Sequence, residues 1–444
     1  MPLRLSAILA ALGLAWAACT VAGSTQPPPS TTGSPTSTVP TVTNSSQETQ
    51  PQPPQETQPK DPITLQIEEL MAVTERIRGL EFLTTPVVIL VSEEEMAQRV
   101  EELFEEDLEP EEYAAYDALY STLGLLAGDV DLEELLRLLE TEQVVAFYDT
   151  ETKELVAPSE QEELTPIEKL TMVHELTHAV TDQYYDLFGI MDRLDAEQRF
   201  DDASAFRALV EGDAMVVEFL YLQELPREEQ VQVLQEAMQI ETPIFDTSPR
   251  FLQDSLLFPY IEGQEFVSGI WTADGFGGVD DAYLSYPSTT EHIYRPGKYF
   301  ASEQAVPVSV PVFELSGYQA VETSTWGYLG FQTMFDQVLG GADADRASDG
   351  WGGDSYRLFS DGVEVILALS YVGDSTEDAV ELQAVLIDFI TQSMDVAAPV
   401  PDGRGSAFAG NDYAFVSRIG DQVVFVAASD PSAGEEARLV FQGF

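Results

Sequence analysis

The sequence around residue 165 marks the start of one helix more clearly than it marks any other element. Thr165 can act as the N-cap, Pro166 fits the first turn, and Glu168 completes a capping box. The helix that begins there contains the run His-Glu-Leu-Thr-His at positions 174–178. The sequence therefore predicts one helix that carries two histidines four residues apart.

The spacing of these histidines suits a single metal ion. Four residues advance a helix by about 400°, so His174 and His178 lie roughly 40° apart on one face, one turn from each other. Such a pair can bind one Zn²⁺, and Glu175 then lies beside the metal, where its carboxylate can take a proton from bound water. The alternative is a buried helix with two hydrogen-bonded histidines. Because the chain has only 3 histidines, the motif favours a site for one zinc ion.

A third ligand is expected from outside this helix, because a straight helix cannot curl three ligands around one ion. Asp182, one more turn along, is excluded for that reason. Glu211 lies in a largely apolar segment, and a buried carboxylate needs a cation or a metal to stay ionised. The alternative, an i,i+4 pair with Arg207, is worth only about 0.2–0.5 kcal/mol. Glu211 is therefore the predicted third ligand, and Gly212 beside it is expected to allow close approach of the two helices.

These residues resemble the gluzincin group of zinc metallopeptidases. The segments VHELTHAVTDQ, ALVEGDA, FPYIEGQEFV, PSTTEHIYRPGKY and GWGGDSYRL are also similar to a group of exported bacterial and archaeal proteins, over about Leu80 to Ile390. The gluzincin likeness implies peptide-bond hydrolysis by zinc-activated water, with His174, His178 and Glu211 as ligands and Glu175 as the general base. It also implies a zincin-like fold, in which a small sheet packs beside the active-site helix.

The residue that orients a histidine ligand differs from the pattern of thermolysin-like members. Those members have an Asp four residues after the ligand Glu, where this chain has Met215. Asp213 is about 200° round the helix from Glu211 and is expected to face elsewhere. We therefore expect Asp182 to accept a hydrogen bond from His178.

A hydrolase of this type also needs a hydrogen-bond donor for the oxyanion. His292 is the remaining histidine and is the catalytic candidate, with Tyr294 and Arg295 as alternatives. The competing interpretation is that His292 is an ordinary surface or core histidine.

The N-terminal segment predicts export. Arg4 precedes the apolar run Leu5–Trp16, which is too short to span a bilayer. Ala17, Ala18 and Cys19 resemble a lipobox, in which Cys19 would be lipidated and would be the contact with the membrane. The alternative is plain secretion after cleavage at the A-x-A sequence 15–17. Cys19 is the sole cysteine, so no intramolecular disulfide is possible.

The remaining sequence indicates an α+β protein. Residues 1–19 are expected to be a signal peptide with a lipobox, 20–61 a disordered Pro/Thr/Ser/Gln tether, 62–304 a zincin-like metallopeptidase domain and 305–444 a smaller α+β region. Within residues 62–304, Gln143–Asp149 and Lys153–Pro158 predict a hairpin.

In the C-terminal region, three strands and a turn are predicted. The strands are expected at Glu364–Tyr371, Asp412–Arg418 and Gln422–Ala428. The glycine-rich run Gly350–Asp354 lacks the Lys-Ser/Thr of a phosphate loop and is interpreted as a turn.

The charge of the chain limits its partners. Asp and Glu number 78 against 20 Lys and Arg, which gives a net charge of −58. Such a surface repels phosphate backbones, so no nucleic-acid partner is expected, and the predicted partner is a peptide or protein substrate. The excess of acidic residues either only keeps the folded protein soluble or reflects a halophilic, high-salt habitat. A non-catalytic surface protein, with a structural zinc site or a partner-binding role, is the alternative to a peptidase.

Overall fold

The computed structural model describes residues 61–92, 94–99, 110–142, 146–158, 163–402 and 405–441. Helices and strands both contribute, so the predicted α+β class is confirmed. The predicted signal peptide, Cys19 and all of the tether except Asp61 lie outside these residues. Among the described helices, none combines the length and the apolarity that crossing a bilayer requires.

Residues 94–99 are helical, and the other helices of the described residues have the following bounds in chain order. They are α1 Pro62–Arg78, α2 Pro110–Thr122, α3 Leu132–Thr141, α4 Pro166–Tyr185, α5 Leu187–Ala196, α6 Phe200–Glu224, α7 Arg227–Ala237, α8 Pro243–Thr247, α9 Arg250–Leu284, α10 Thr290–Tyr294, α11 Pro296–Phe300, α12 Gly327–Leu339, α13 Gly341–Ser348, α14 Thr376–Ser393 and α15 Pro431–Arg438. A short 3₁₀ turn, Leu439–Phe441, follows α15.

The strands form two sheets. They are β1 Val87–Val91, β2 Phe147–Asp149, β3 Glu154–Pro158, β4 Gln319–Ser324, β5 Trp351–Ser360, β6 Val365–Gly373, β7 Val400–Asp402, β8 Gly405–Ala409, β9 Tyr413–Ile419 and β10 Gln422–Ala428. The first sheet has the order β1-β3-β2, and the second has the order β4-β5-β6-β10-β9-β8-β7.

The small sheet packs beside α4. Strand β3 is central, parallel to β1 and antiparallel to β2, with Phe147 opposite Val156. Its central residues are fully buried because both neighbouring strands and the helices cover them. Leu155 belongs to the same apolar cluster as Val173 and Leu176 of α4. The described part of the predicted hairpin, residues 146–158, therefore contacts the helix that bears the two histidines, whereas residues 143–145 lie outside the described residues.

The large sheet is antiparallel throughout and is covered on both faces. Alternate residues of its central strands β6 and β10 point to opposite sides, as the pleat requires. Leu367 and Phe425 belong to a cluster that includes α2, α12 and α14. Ile366 and Val424 belong to a second cluster, which includes α15. Burial on both faces explains why these strands are almost continuously apolar.

The predicted boundary between residues 304 and 305 does not separate two cores. Leu119 of α2 and Phe251 of α9 lie in the same apolar cluster as Phe335 and Leu367. Helices that come early in the chain therefore cover a sheet that forms late in the chain. The boundary was predicted from a shift in composition near residue 305. Local composition carries no information about packing between distant segments, so it could not reveal the shared core.

Helix α6 is packed between α4 and α9. At its crossing with α9, a Cβ on Gly212 would lie 2.2 Å from the carbonyl oxygen of Gly263. A Cβ on Gly263 would lie 2.2 Å from the carbonyl oxygen of Ala208. Gly212 thus allows a close helix approach, as expected, but it faces α9 and not the histidine-bearing α4. The contact fixes α6 in the position from which Glu211 reaches α4.

Candidate metal centre

Helix α4 begins where the sequence predicts. The Thr165 hydroxyl accepts the backbone N–H of Glu168 at 3.4 Å, and the Glu168 carboxylate accepts the backbone N–H of Thr165 at 2.6 Å. From Leu170 to Asp182, every residue of the helix is buried, because the small sheet lies on one side and α6 on another. Polar side chains in this stretch must therefore find partners inside the protein.

The structure brings together His174, His178 and Glu211. Their ligand atoms all lie within 4.8 Å of one another. One carboxylate oxygen of Glu211, Oε2, is 3.0 Å from Nε2 of His174 and 3.4 Å from Nε2 of His178. The two imidazole rings meet nearly edge to face, with centroids 4.7 Å apart. Two turns of α4 and one residue of α6 thus present two nitrogens and one oxygen to a common point.

These residues fit a divalent metal ion. Nε2 of His178, which lies 3.4 Å from Oε2 of Glu211, and Oε1 of Glu175 are buried and make no hydrogen bond among the described residues. Unsatisfied buried polar atoms are costly, so these two atoms on neighbouring side chains indicate a missing partner. Two imidazole nitrogens and one carboxylate oxygen form a donor set that zinc takes in catalytic sites.

The charges of the buried side chains at the site also favour a bound cation. Burial raises the pKa of the Glu211 carboxyl, but the neighbouring His178 and His174 outweigh burial and hold this pKa well below its usual range. Burial lowers the pKa of His174, yet hydrogen bonds to Glu211 and Glu218 raise it to about 10. The carboxylates of Glu175, Glu211 and Glu218 are all buried near the two imidazoles. A proton or a metal ion must balance this excess of negative charge.

Glu175 lies on α4 beside the ligand cluster and is fully buried. Its Oε2 accepts the backbone N–H of Tyr148 from β2 at 2.8 Å, which fixes the carboxylate, while Oε1 has no partner among the described residues. Burial raises the pKa of Glu175 to about 7, against the lowering effect of His178 and His174. The side chain is therefore held by one oxygen and has the other available for proton transfer.

Glu218 is a residue of the site that the sequence reasoning missed. Its Oε2 lies 3.3 Å from Nδ1 of His174, so this histidine contacts Glu211 through one ring nitrogen and Glu218 through the other. Seven residues after Glu211, Glu218 returns to the same face of α6, and this spacing could have identified it. Asp213 faces elsewhere, as expected, and accepts a hydrogen bond from buried Arg78 at 2.9 Å.

Asp182 does not have the predicted role. Its carboxylate accepts the Tyr148 hydroxyl at 2.8 Å, the Lys153 ammonium at 2.7 Å and the backbone N–H of Leu187 at 3.0 Å. Nδ1 of His178, which Asp182 was expected to orient, has no hydrogen-bond partner among the described residues. Asp182 therefore anchors the β2–β3 hairpin to α4, because the hairpin offers donors on the side to which this carboxylate points.

His292 is not placed to stabilise an oxyanion. Its Nε2 lies 3.0 Å from the carbonyl oxygen of Glu303, to which it donates, and Nδ1 accepts the backbone N–H of Ser288 at 3.3 Å. Burial lowers the pKa of His292, so the ring is neutral at pH 7. Both ring nitrogens are thus used by the backbone, and the interpretation of His292 as an ordinary core histidine is the one that the structure supports.

Tyr260 is a second residue near the cluster that the sequence reasoning did not single out. The centroid of its ring lies 6.4 Å from that of His174, with the planes tilted by 32°. Tyr260 belongs to α9, in the segment FPYIEGQEFV, where the aromatic pattern alone indicates only a core position. Its place next to His174 depends on the close crossing of α6 and α9.

Comparisons with known proteins give one family match, in the C-terminal region, and one similar solved structure. Residues 314–438 match the model of a domain of unknown function, DUF8575. No curated protein matches the chain. A crystal structure of a hydrolase candidate with a novel fold, from Chloroflexus aurantiacus, is similar with a TM-score of 0.34 at 15% identity, over 54% of this chain and 89% of that one. The segment that matches DUF8575 contains all seven strands of the large sheet, and it lies outside α4 and α6, which bear His174, His178 and Glu211.

Proposed function

We propose that the protein is a zinc-dependent hydrolase of peptide bonds, of the gluzincin type. The observation that carries this proposal is the position of Glu175 beside His174, His178 and Glu211. One oxygen of Glu175 is held by the backbone of Tyr148, and the other has no partner among the described residues. A purely structural metal site needs its ligands but has no use for such a carboxylate.

Each residue of the site has a chemical role in this proposal. His174, His178 and Glu211 would hold the ion, and Glu218 would keep His174 in the tautomer that leaves Nε2 unprotonated. A bound zinc ion would lower the pKa of a water molecule to about 7 and polarise the peptide carbonyl. Glu175 would accept a proton at its free oxygen and later return it to the departing amine.

The fold around the site agrees with the resemblance noted from the sequence. The three-stranded sheet packs against α4, and the backbone N–H of Tyr148 in its edge strand β2 reaches the proposed base. The proposed third ligand, Glu211, lies on a later helix, which is the order that the gluzincin resemblance implies. These features support a zincin-like arrangement of residues 62–304.

A structural zinc site is the second candidate function. The side chains of His174, His178 and Glu211 are at most 4% exposed, and such burial is typical of closed, structural sites. In that case the metal would join α4 to α6 without taking part in a reaction.

The experiment that separates these functions compares wild-type protein with Glu175→Gln. We expect both proteins to bind zinc, because Glu175 is not a proposed ligand. We expect Glu175→Gln to hydrolyse a mixed peptide library at least about 100-fold more slowly, because the proton acceptor is lost. Cleavage is measured by mass spectrometry, and zinc by elemental analysis.

The matched control is Glu224→Gln, which makes the same chemical change on an exposed side chain of α6 that pairs with Arg76. This variant should cleave the library as wild type does. Equal hydrolysis by Glu175→Gln and wild type would rule out the proposed base. Zinc binding by wild type without hydrolysis of any library member would favour the structural site.

A further inference from the structure

One residue of the small sheet contacts α4 at two points. The backbone N–H of Tyr148 donates to Oε2 of Glu175 at 2.8 Å, and the hydroxyl of Tyr148 donates to Oδ2 of Asp182 at 2.8 Å. Glu175 and Asp182 are seven residues apart, which places them on the same face of α4 and about 10 Å apart along its axis. The buried side chain of Tyr148 therefore spans two turns of the helix and joins strand β2 to both of them.

The turn between β2 and β3 supplies a further contact with the same aspartate. The ammonium of Lys153 lies 2.7 Å from Oδ2 of Asp182, whose side chain is only 1% exposed. The other oxygen of Asp182, Oδ1, accepts the backbone N–H of Leu187 at 3.0 Å. Both oxygens of this buried carboxylate are thus bound, and the hairpin provides the donors to one of them.

The backbone of this turn is strained where it carries the lysine. The carboxylate of Asp149 accepts the backbone N–H groups of Glu151 and Thr152 at 2.8 and 3.0 Å, which fixes the turn. Lys153 follows with a φ of 62°, in the left-handed region, where glycine or asparagine fits with less strain. The turn itself therefore does not require a lysine, whereas the contact with Asp182 does.

Strand β2 has little else to hold it in place. It has 3 residues and lies at the edge of its sheet, where β3 is its neighbour. A short edge strand opens more easily than a central strand, because fewer hydrogen bonds must break. Yet the hydrogen bond that fixes the carboxylate of Glu175 comes from this strand. The position of Glu175 therefore depends on how firmly β2 is held against α4.

We propose that Tyr148, Lys153 and Asp182 are positioning residues for the base Glu175. The proposal rests on the proposed function and adds how its base is oriented. Asp182 holds the hairpin, and the hairpin backbone holds Oε2 of Glu175, which keeps Oε1 in place for proton transfer. A displacement of about 1 Å can lower a rate by about 100-fold. Loosening the hairpin should therefore slow turnover although every catalytic group and metal ligand is still present.

The alternative is that the contact between Lys153 and Asp182 only stabilises the fold. The two roles differ in what happens when Glu175 is absent. An effect that acts through the base disappears with the base, whereas an effect on the fold or on the metal site remains. A variant of Lys153 tested with and without Glu175 therefore separates them.

The first measurement is hydrolysis of the peptide library by variants of Lys153. We expect Lys153→Met to lower kcat about 10-fold, with KM within about twofold of wild type and zinc content unchanged. Lys153→Arg should restore most of the rate, because a guanidinium can still bind Asp182. Lys169→Met makes the same chemical change near the other end of α4 and should act as wild type does.

The second measurement is the residual rate of the double variant Glu175→Gln/Lys153→Met. Because glutamine cannot act as the base, there is no base left to position, and the double variant should be as active as Glu175→Gln alone. A further fall of about 10-fold in the double variant would show that Lys153 acts on the fold or on the metal, and would overturn the proposal.

The third measurement does not depend on activity. Hydrogen exchange of zinc-free protein, followed by mass spectrometry, reports how often the strand at residues 147–149 opens. We expect exchange there to be about 10-fold faster in Lys153→Met and in Tyr148→Phe than in wild type. Tyr184→Phe removes a hydroxyl of α4 that donates to the backbone of Glu81, and it should leave this exchange unchanged. Unchanged exchange in Lys153→Met would overturn the proposal.

These outcomes distinguish a failure of the positioning role from a failure of the proposed function. A wild-type protein that binds zinc and hydrolyses no peptide would refute the function, and the positioning role with it. Hydrolysis by wild type that Lys153→Met and Tyr148→Phe retain in full would refute the positioning role alone, even where exchange of the strand is faster.

Discussion

At the scale of single residues, the site depends on how His174 is held. Its two ring nitrogens face two different glutamates of α6, Glu211 and Glu218, two turns apart on one face. An acceptor on Nδ1 fixes the tautomer and makes Nε2 a better ligand. His178 has no such acceptor among the described residues, so the support for the two histidines is unequal.

Changing Glu218 to Gln should weaken zinc binding without removing a ligand. The amide accepts a hydrogen bond from His174 less strongly than the carboxylate does, so we expect zinc affinity to fall about 10- to 100-fold. Competition with a chromophoric chelator measures this affinity, and Glu224→Gln on the same helix is the control. Unchanged affinity in Glu218→Gln would show that the contact with His174 does not support the metal.

The residues that carry chemistry were predictable from the sequence to different degrees. The convergence of His174, His178 and Glu211 followed from helical spacing and from the cost of a buried carboxylate. Asp182 and His292 have other partners than those expected: Asp182 accepts hydrogen bonds from the β2–β3 hairpin, and both ring nitrogens of His292 bond to backbone groups. Periodicity shows which face a side chain lies on, but it does not show what will pack against that face.

At the scale of elements, the crossing of α6 and α9 positions the third ligand. Gly212 and Gly263 let the two backbones approach to a distance at which any Cβ would collide with a carbonyl oxygen. A carbonyl oxygen within a helix cannot rotate away as a side chain can. The crossing therefore tolerates no larger residue without a shift of α6.

Gly212→Ala should destabilise the protein although alanine favours helices. We expect the free energy of unfolding to fall by about 1–3 kcal/mol, because the added methyl overpacks the crossing. Gly269→Ala is the matched control in α9: its Cβ would have nothing within 4 Å, so stability should rise by about 0.5–1 kcal/mol. Chemical denaturation measures both, and a Gly212→Ala protein as stable as Gly269→Ala would contradict the close crossing.

Elements with strong local signals were predictable, and those defined by distant pairing were not. The capping box at Thr165 and the strand at Gln422–Ala428 are present where they were expected. The run Gly350–Asp354 was interpreted as a turn, but β5 begins at Trp351, with a β-bulge between Trp351 and Gly353. Glycines tolerate both structures, and only the partner strand β6 decides between them.

At the scale of the whole molecule, the C-terminal sheet and the helices that bear the site form one packed unit. Apolar cluster residues come from both sides of residue 304. The small sheet and α4 were placed by sequence patterns, whereas the contribution of α2 to the core of the large sheet was not. That contact joins residues more than two hundred positions apart, beyond the reach of local periodicity.

The net charge of −58 predicts a salt-dependent stability. Repulsion among carboxylates is screened over about 30 Å at 0.01 M salt but over about 3 Å at 1 M. If the acidity reflects a high-salt habitat, we expect the melting temperature to rise steadily from about 0.01 M to about 1 M potassium chloride. Thermal unfolding followed by circular dichroism measures this, and maximal stability at the lowest salt concentration would contradict it.

The most direct test of the account is the coordination of zinc in the purified protein, measured by elemental analysis and zinc-edge X-ray absorption. We expect about one zinc ion per chain, with imidazole nitrogens at about 2.0–2.1 Å and no sulfur ligand. Glu211→Ala and His178→Ala should lose the metal. His292→Ala should keep it, because the ring nitrogens of His292 form hydrogen bonds with backbone groups and not with a metal. A protein without zinc, or one whose zinc content is unaffected by Glu211→Ala and His178→Ala, would contradict the proposed centre.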